Sequence, residues 1–202
     1  MKDKRDYIET YLSEVSRIAK DINKDAVEDM IQIILGVRKK HGRIFMLGLG
    51  GGAANASHAV NDFRKIAGIE CYSATENVGE LTARINDEGW ETVFAKWLQG
   101  SNLNKNDALF VFSVGGGNAV KKVSVNLIHA LKYAKVVGAK IIGIVGRDGG
   151  ATAQVADACV IVPSINNTNI TPHVESFQAV ILHLIVSHPA LKRNEMKWEA
   201  LK

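Results

Sequence analysis

The first forty residues carry apolar side chains at helical spacing. Ile8, Tyr11, Leu12, Val15 and Ile18 repeat at i, i+3, i+4 and i+7, and Val27, Met30, Ile31 and Ile34 renew the pattern after Asn23, a residue suited to cap a helix. Two amphipathic helices are predicted, the second ending at His41-Gly42, where glycine can take the left-handed cap conformation. From residue 43 the period changes. Arg43–Leu47, Ile69–Ala74, Ala108–Ser113, Lys140–Val145 and Ala158–Val162 are short, continuous apolar runs rich in Ile and Val. Strands covered on both faces of a parallel sheet read this way. Helical stretches lie between them: Ala53–Ile66, a segment around Trp90–Leu98, and Val120–Val137, where Val120, Val123, Leu127, Ala130 and Ala134 form one stripe. The last helix is expected to begin near Thr171-Pro172, a cap followed by proline at the first helical position, and to bury Val174, Phe177, Ile181 and Leu184. This is the pattern of an α/β fold, a doubly wound five-stranded parallel sheet flanked by helices, in one domain over residues 1–202. Its parts are an N-terminal helical pair (1–42), an α/β core (43–188) and a C-terminal tail (189–202).

Composition narrows the class without naming it. The chain has 202 residues, 47% of them hydrophobic, enough for a substantial core, and its net charge of +4 gives little reason to expect nucleic acid as a partner. Cys71 and Cys159 sit in apolar stretches and read as buried thiols rather than a disulfide, so a reducing compartment is expected. With no apolar run of membrane-spanning length and no signal-peptide core in MKDKRDYIETYL, the expected location is the cytoplasm, away from membranes.

Glycine carries more information. Ten of the 18 glycines fall in three clusters, Gly48/Gly50/Gly51/Gly52, Gly115/Gly116/Gly117 and Gly146/Gly149/Gly150, each directly after a predicted strand. In an open parallel sheet the ligand crevice lies beyond the carboxyl ends of the strands, so the three loops belong to one rim. There, close-approaching amides and helix N-termini favour an anion, which points to a phosphorylated small molecule; tight strand-to-helix turns are the plainer reading, above all for the third cluster. The first cluster fits the loose G-x-G-x-x-A pattern of dinucleotide sites. However, Glu70, the acid at the right spacing, lies at the start of its strand and not at its end, so no nucleotide cofactor is expected. Ser113 and Asn118 flank the second cluster, Ser124 lies further along, and no P-loop lysine is present, which argues against an NTPase.

Two pairs of ionisable residues could do chemistry. His58 and Asp62, at i and i+4, share one face of the helix after the first glycine loop and could bind a metal or act as acid and base, or could be a surface ion pair. Glu175 and His183 lie on the last helix. Eight residues correspond to about 12 Å of rise and about 80° of rotation, so one small ion reaches both only if the side chains lean together or the helix starts irregularly. His183, between Leu182 and Leu184, is expected to be buried. Asn86-Asp87, before Gly89-Trp90, is expected in a loop reaching the same crevice. His173 and Gln178 are weaker candidates, and His41, His129 and His188 read as exposed or packing residues.

The ordered series GLGGGAANASHAVNDF, NDEGWETVF, FSVGGGN, GIVGRDGG and TPHVESFQAVILHL resembles the SIS phosphosugar-binding family, specifically the bacterial phosphoheptose isomerases, over nearly the whole chain. The resemblance implies a five-stranded parallel sheet in a homotetramer with active sites between subunits. It implies conversion of sedoheptulose 7-phosphate to glycero-manno-heptose 7-phosphate through an enediol. His58 and Asp62 match the family's H-x-x-x-E, Glu175 and His183 its Q-x7-H, and Asp87 the acid of N-D-x-G-[YFW]. By that resemblance Asp62 and His183 are the acid/base pair, and Gly50, Gly51, Gly52, Asp87, Ser113, Gly115, Gly116, Asn118 and Glu175 hold substrate. His58, Asp62, Glu175 and His183 are a possible set for Zn²⁺. This chain has Gly48-Leu49-Gly50-Gly51-Gly52 where relatives read G-N-G-G-S, and Ser113-Val114-Gly115-Gly116-Gly117-Asn118-Ala119, one residue longer and with fewer hydroxyls, where they read S-T-S-G-N-S. Asp62 and Glu175 replace Glu and Gln. A non-catalytic phosphosugar-binding or replication-initiator-binding protein on the same fold is the alternative.

Overall fold

Five parallel strands form the frame: β1 (Ile44–Gly48), β2 (Cys71–Ser73), β3 (Ala108–Ser113), β4 (Lys140–Val145) and β5 (Ala158–Ile161), in the spatial order β2-β1-β3-β4-β5. The structure, a computed structural model, describes residues 4–201. The order reverses between β1 and β3, which makes the carboxyl ends of those two strands the switch point where doubly wound folds bind ligands. On β3 the period-2 alternation sends Phe110 and Phe112 into one core and Leu109 and Val111 into the other, all fully buried. A strand covered on both faces has no polar side to display, which explains the unbroken apolar runs.

Helices cover both faces. The first core packs α1 (Lys4–Asp21), α2 (Lys24–Lys39), α3 (Gly51–Asp62) and α8 (Ile170–Ser187) on the sheet, and the second packs α5 (Val93–Gly100) and α6 (Val125–Val137). The short helix α7 (Gly150–Val155) bridges the β4 end, α4 (Val78–Glu88) lies before α5, and α9 (Lys197–Ala200) sits in the tail. Asn23 caps α2 as predicted, its Oδ1 accepting from the Ala26 amide at 3.1 Å. Burying an aromatic such as Phe110 contributes about 2–3 kcal/mol, so the strands carry much of the fold's stability.

Five local expectations change. The left-handed residue after α2 is His41 (φ +54°), not Gly42; Gly42 is needed because a Cβ there would lie 1.9 Å from the Asn106 carbonyl oxygen. Helix α6 starts at Val125 and not Val120, because Asn118 and Val123 pair with each other (N···O 2.9 and 3.0 Å) and close a turn that leaves Val120 93% and Val123 52% exposed. Helix α4 occupies residues around Asn86-Asp87 that were expected to be loop; Asn77 caps it through Glu80, and its sparse apolar positions leave no residue fully buried. Helix α8 begins one residue before Thr171, and Leu184 is exposed rather than buried. Along α1, Ile8 and Leu12 are exposed while Ile18 is buried, so only the carboxyl half of the stripe meets the core of this chain.

Candidate functional site

Helices α3 and α8 pack side by side on the first face of the sheet, and Asn55 fixes their register. Its Nδ2 donates to the Glu175 carbonyl and to Gln178 Oε1, both at 2.9 Å, while Gln178, fully buried, donates to the Ile144 carbonyl at the β4 end. Asn55 lies three residues before His58, on the same helix face. That lock brings His58 and Asp62 of α3 against His183 of α8. The three facing atoms form a nearly equilateral triangle: His58 Nε2 to Asp62 Oδ2 is 3.2 Å, His183 Nε2 to Asp62 Oδ2 3.4 Å, and His58 Nε2 to His183 Nε2 3.3 Å. Asp62 is largely buried, whereas the two histidines are about half exposed. The expected burial of His183 is thus corrected: Ile181, Leu182 and Ile185 turn inward, and His183 lies on the open side of α8.

Three ligand atoms that all lie within 4.8 Å of one another fit a metal ion. A tetrahedral ion with bonds of about 2.0–2.1 Å has ligand-to-ligand edges of about 3.3 Å, and two imidazoles with one carboxylate leave the fourth position open, as catalytic zinc sites do. Glu175 is not part of this group. Its carboxylate lies against Gly51 at the start of α3, where a Cβ on residue 51 would come within 2.5 Å of it. That is the positive end of the helix, a favourable place for a carboxylate. Of the first glycine loop, Gly51 thus faces the chain's own carboxylate, while Gly50 is open and Gly52, its amide donating to the Leu49 carbonyl at 3.0 Å, packs on Phe112.

The second and third glycine loops are built differently. Gly116 and Gly150 approach each other's backbone so closely that a Cβ on either would lie within 2.2 Å of a carbonyl oxygen. The first amides of α7 are already occupied, Ala151 N donating to the Gly117 carbonyl and Thr152 N to that of Gly116, both at 2.9 Å. The third loop is therefore a brace for the second. With its carbonyls turned toward α7, the second loop keeps the amides of Gly115 and Gly117 without an intrachain acceptor among the described residues, as are those of Val125 and Asn126 at the start of α6. Ser113 Oγ accepts from the Gly116 amide and Asn118 Oδ1 from that of Lys121, so both side chains shape the loop.

One residue here was not singled out from the sequence: Asn126, fully buried with its Nδ2 unpartnered. Ser124, expected further down the helix, stands instead at the residue before α6, at φ +51°. A non-glycine residue in left-handed conformation costs about 1 kcal/mol or more and marks a place where surroundings impose the backbone. The signal available beforehand was the pair itself, Ser124 and Asn126 opening a helix after a glycine loop.

A family model for the SIS domain matches residues 6–146. The chain belongs to the SIS domain family. Among curated proteins it is 31% identical over 185 residues to the phosphoheptose isomerase of Aliarcobacter butzleri, covering 88% of this chain and 92% of that one. It is 29% identical over 188 residues to the lincomycin biosynthesis protein LmbN of Streptomyces lincolnensis, covering 90% and 68%. Among solved structures, the phosphoheptose isomerase of Neisseria gonorrhoeae superposes with a TM-score of 0.78 at 23% identity, covering 90% of this chain and 97% of that one. That of Francisella tularensis gives 0.76 at 22%.

Within this SIS chain the triad and the amide-rich loop are separate. Gly52 packs on the Phe112 carbonyl at the switch point, and His58 stands about 9 Å of helix rise beyond it. Asp87 is on the last turn of α4, exposed and accepting from Asn86 at 2.8 Å, with no hydrogen bond or ion pair to the triad or the loops among the described residues. His173 belongs elsewhere: its Nε2 donates to Glu14 Oε2 at 2.7 Å inside the first core. A hollow of about 650 Å³ along the β2 edge, between Arg43, Tyr72 and Trp97, contains none of the predicted site residues.

Proposed function

We propose that the protein is a phosphosugar aldose–ketose isomerase whose substrate is a ketose phosphate of the sedoheptulose 7-phosphate type. The observation that carries this reading is the convergence of His58, Asp62 and His183, added to curated relatives that are phosphoheptose isomerases. Aldose–ketose interconversion takes a proton from C1 of the open-chain ketose, passes through an enediol, and returns a proton to C2 while the carbonyl moves from C2 to C1. His183 and Asp62 serve as the acid/base pair, with His58 hydrogen-bonded into the same triangle and holding Asp62. The phosphate sits at the amides of Gly115 and Gly117 and the start of α6, where Ser113, Gly116 and Asn118 hold the loop in shape and Ser124 and Asn126 offer the nearest side-chain donors. The amides of Gly50 and Gly51 with the Glu175 carboxylate suit hydroxyls, which both donate and accept; the Gly52 amide is taken by the Leu49 carbonyl. Asp87, remote from the triad within one chain, reaches a substrate only if a second subunit presents it.

His58, Asp62 and His183 are also the residues that would hold Zn²⁺, which when bound supplies Lewis-acid polarisation of substrate oxygens. The exposed apolar residues Ile8 and Leu12 on α1 and Val180 and Leu184 on α8 support a homo-oligomer, in accord with the tetramer the family resemblance implies. Incubation with sedoheptulose 7-phosphate, followed by NMR, tests the reading. Conversion to an aldose phosphate is expected, and His183→Ala should abolish it with the oligomer intact. Full activity in that variant removes His183 from the chemistry; no conversion by the unmodified protein, with or without zinc, turns the assignment toward a phosphosugar-binding module.

A further inference from the structure

Beyond α8 the chain turns back across the helix pair that carries the triad. Arg38 of α2 donates to the carbonyls of Ala190 and Leu191, both at 2.8 Å, and Leu191 is fully buried. The extension of α3 into a π-helical turn, Phe63–Ala67, leaves carbonyls at its end, and the tail satisfies them. The amides of Arg193 and Asn194 donate to Ile66 at 2.9 and 3.0 Å, and Asn194 Nδ2 donates to Lys65 at 2.7 Å. Thus anchored, the next residues run along a cavity of about 610 Å³, with Glu195, Met196, Lys197 and Glu199 on one wall and His58, Asp62 and His183 on another. That volume lies within the ordinary range of small-molecule sites.

We propose that Glu195, Met196, Lys197 and Glu199 are a specificity-determining wall of this site, recognising the hydroxylated carbon chain of the substrate. The inference rests on the isomerase reading for the identity of the site and adds the part of the ligand that the tail meets. The charges on the wall are mixed: Lys197 donates, Glu199 and Glu195 accept, and Lys192 holds Glu195 at 2.7 Å. A surface of one sign would select an ion, whereas alternating donors and acceptors match vicinal hydroxyls, each of which does both. The phosphate loop lies at the other end of α3, so the tail faces the sugar and not its phosphate.

The experiment uses polyol phosphates that cannot isomerise, a hexitol 6-phosphate and a heptitol 7-phosphate, with inorganic phosphate as the comparison. Their affinities are measured by calorimetry for the full chain, for a Lys197→Ala/Glu199→Ala variant, and for a chain ending at Asn194, which keeps the anchoring bonds to Ile66 and Lys65. Both altered chains are expected to bind the polyol phosphates about tenfold more weakly and inorganic phosphate unchanged. Unchanged polyol phosphate affinity in both, an equal loss for inorganic phosphate, or no polyol phosphate binding by the full chain overturns the proposal. Conversion of a ketose phosphate by the full chain is read separately, so a working isomerase with an indifferent tail sinks this inference and leaves the isomerase reading standing.

Discussion

At the scale of single residues, the most constrained group outside the candidate site is Glu14. It is buried, accepts hydrogen bonds from His173, Asn169 and Asn166 at 2.7, 3.0 and 2.6 Å, and lies beside Tyr11, whose ring is 4.4 Å from that of His173. The His173 bond, then those from Asn169 and Asn166, lower its carboxyl from the usual 4.5 to about 2. Between those values the unfolded chain binds more protons than the folded one, so the stabilisation is complete above pH 4.5 and drains away as the pH falls toward 2. Glu14→Gln should cost about 3 kcal/mol near neutrality, and its deficit in melting temperature should shrink across that acid window. A deficit that stays constant from pH 5 to pH 2 contradicts the account. The thiols are the second case: burial raises that of Cys159 to about 12 and that of Cys71 further. Neither should react with a thiol reagent at pH 7.5 in the native protein, and both should react in denaturant; fast native labelling, read by mass spectrometry, would refute this. From the sequence both cysteines read as buried thiols because their apolar neighbours are contiguous; Cys71 is buried, whereas Cys159 is half-buried. The partner of His173 was not, because Glu14 is 159 residues away.

At the scale of elements, the three glycine loops look alike in sequence and differ in structure. Gly116 has φ +66° and leaves no room between its Cα and the Gly149 carbonyl, while Gly51 faces only the tip of a flexible Glu175 side chain. Gly116→Ala should therefore destabilise the protein by about 2 kcal/mol or more, whereas Gly51→Ala should change stability by less than about 1 kcal/mol and shift the Glu175 carboxylate. Urea denaturation of the two variants checks the contrast, and equal losses would contradict it. The helix expected from Val120 fails for a related reason. Its apolar stripe is regular, but Asn118 offers a side-chain oxygen to the Lys121 amide, and that local bond holds a turn that delays α6 until Val125. Helical spacing alone does not register such a competitor.

At the scale of the whole molecule, the open triad and the exposed apolar rows on α1 and α8 point the same way. Leu184 is 47% exposed one residue from His183, and Val180 and Leu184 line an apolar groove of about 350 Å³ between α8 and the α1–α2 pair. A Leu184→Glu variant should dissociate the proposed oligomer and lower isomerase activity with it; light scattering on the purified variant reads the first and the NMR assay the second. An unchanged molar mass would remove α8 from the subunit contact.

The sequence by itself determined the sheet, its five strands and their parallel sense, because burial on both faces forces continuous apolar runs that no loop or surface helix produces. It also put His58 and Asp62 on one helix face, a consequence of the 3.6-residue period. Only the tertiary structure decided that His183 joins them and Glu175 does not. That outcome depends on how α8 lies along α3, a register set by Asn55 and Gln178 across more than a hundred residues of chain. The same holds for the tail: Glu195, Met196, Lys197 and Glu199 line a cavity with the triad because the π-helical end of α3 presents carbonyls that need donors.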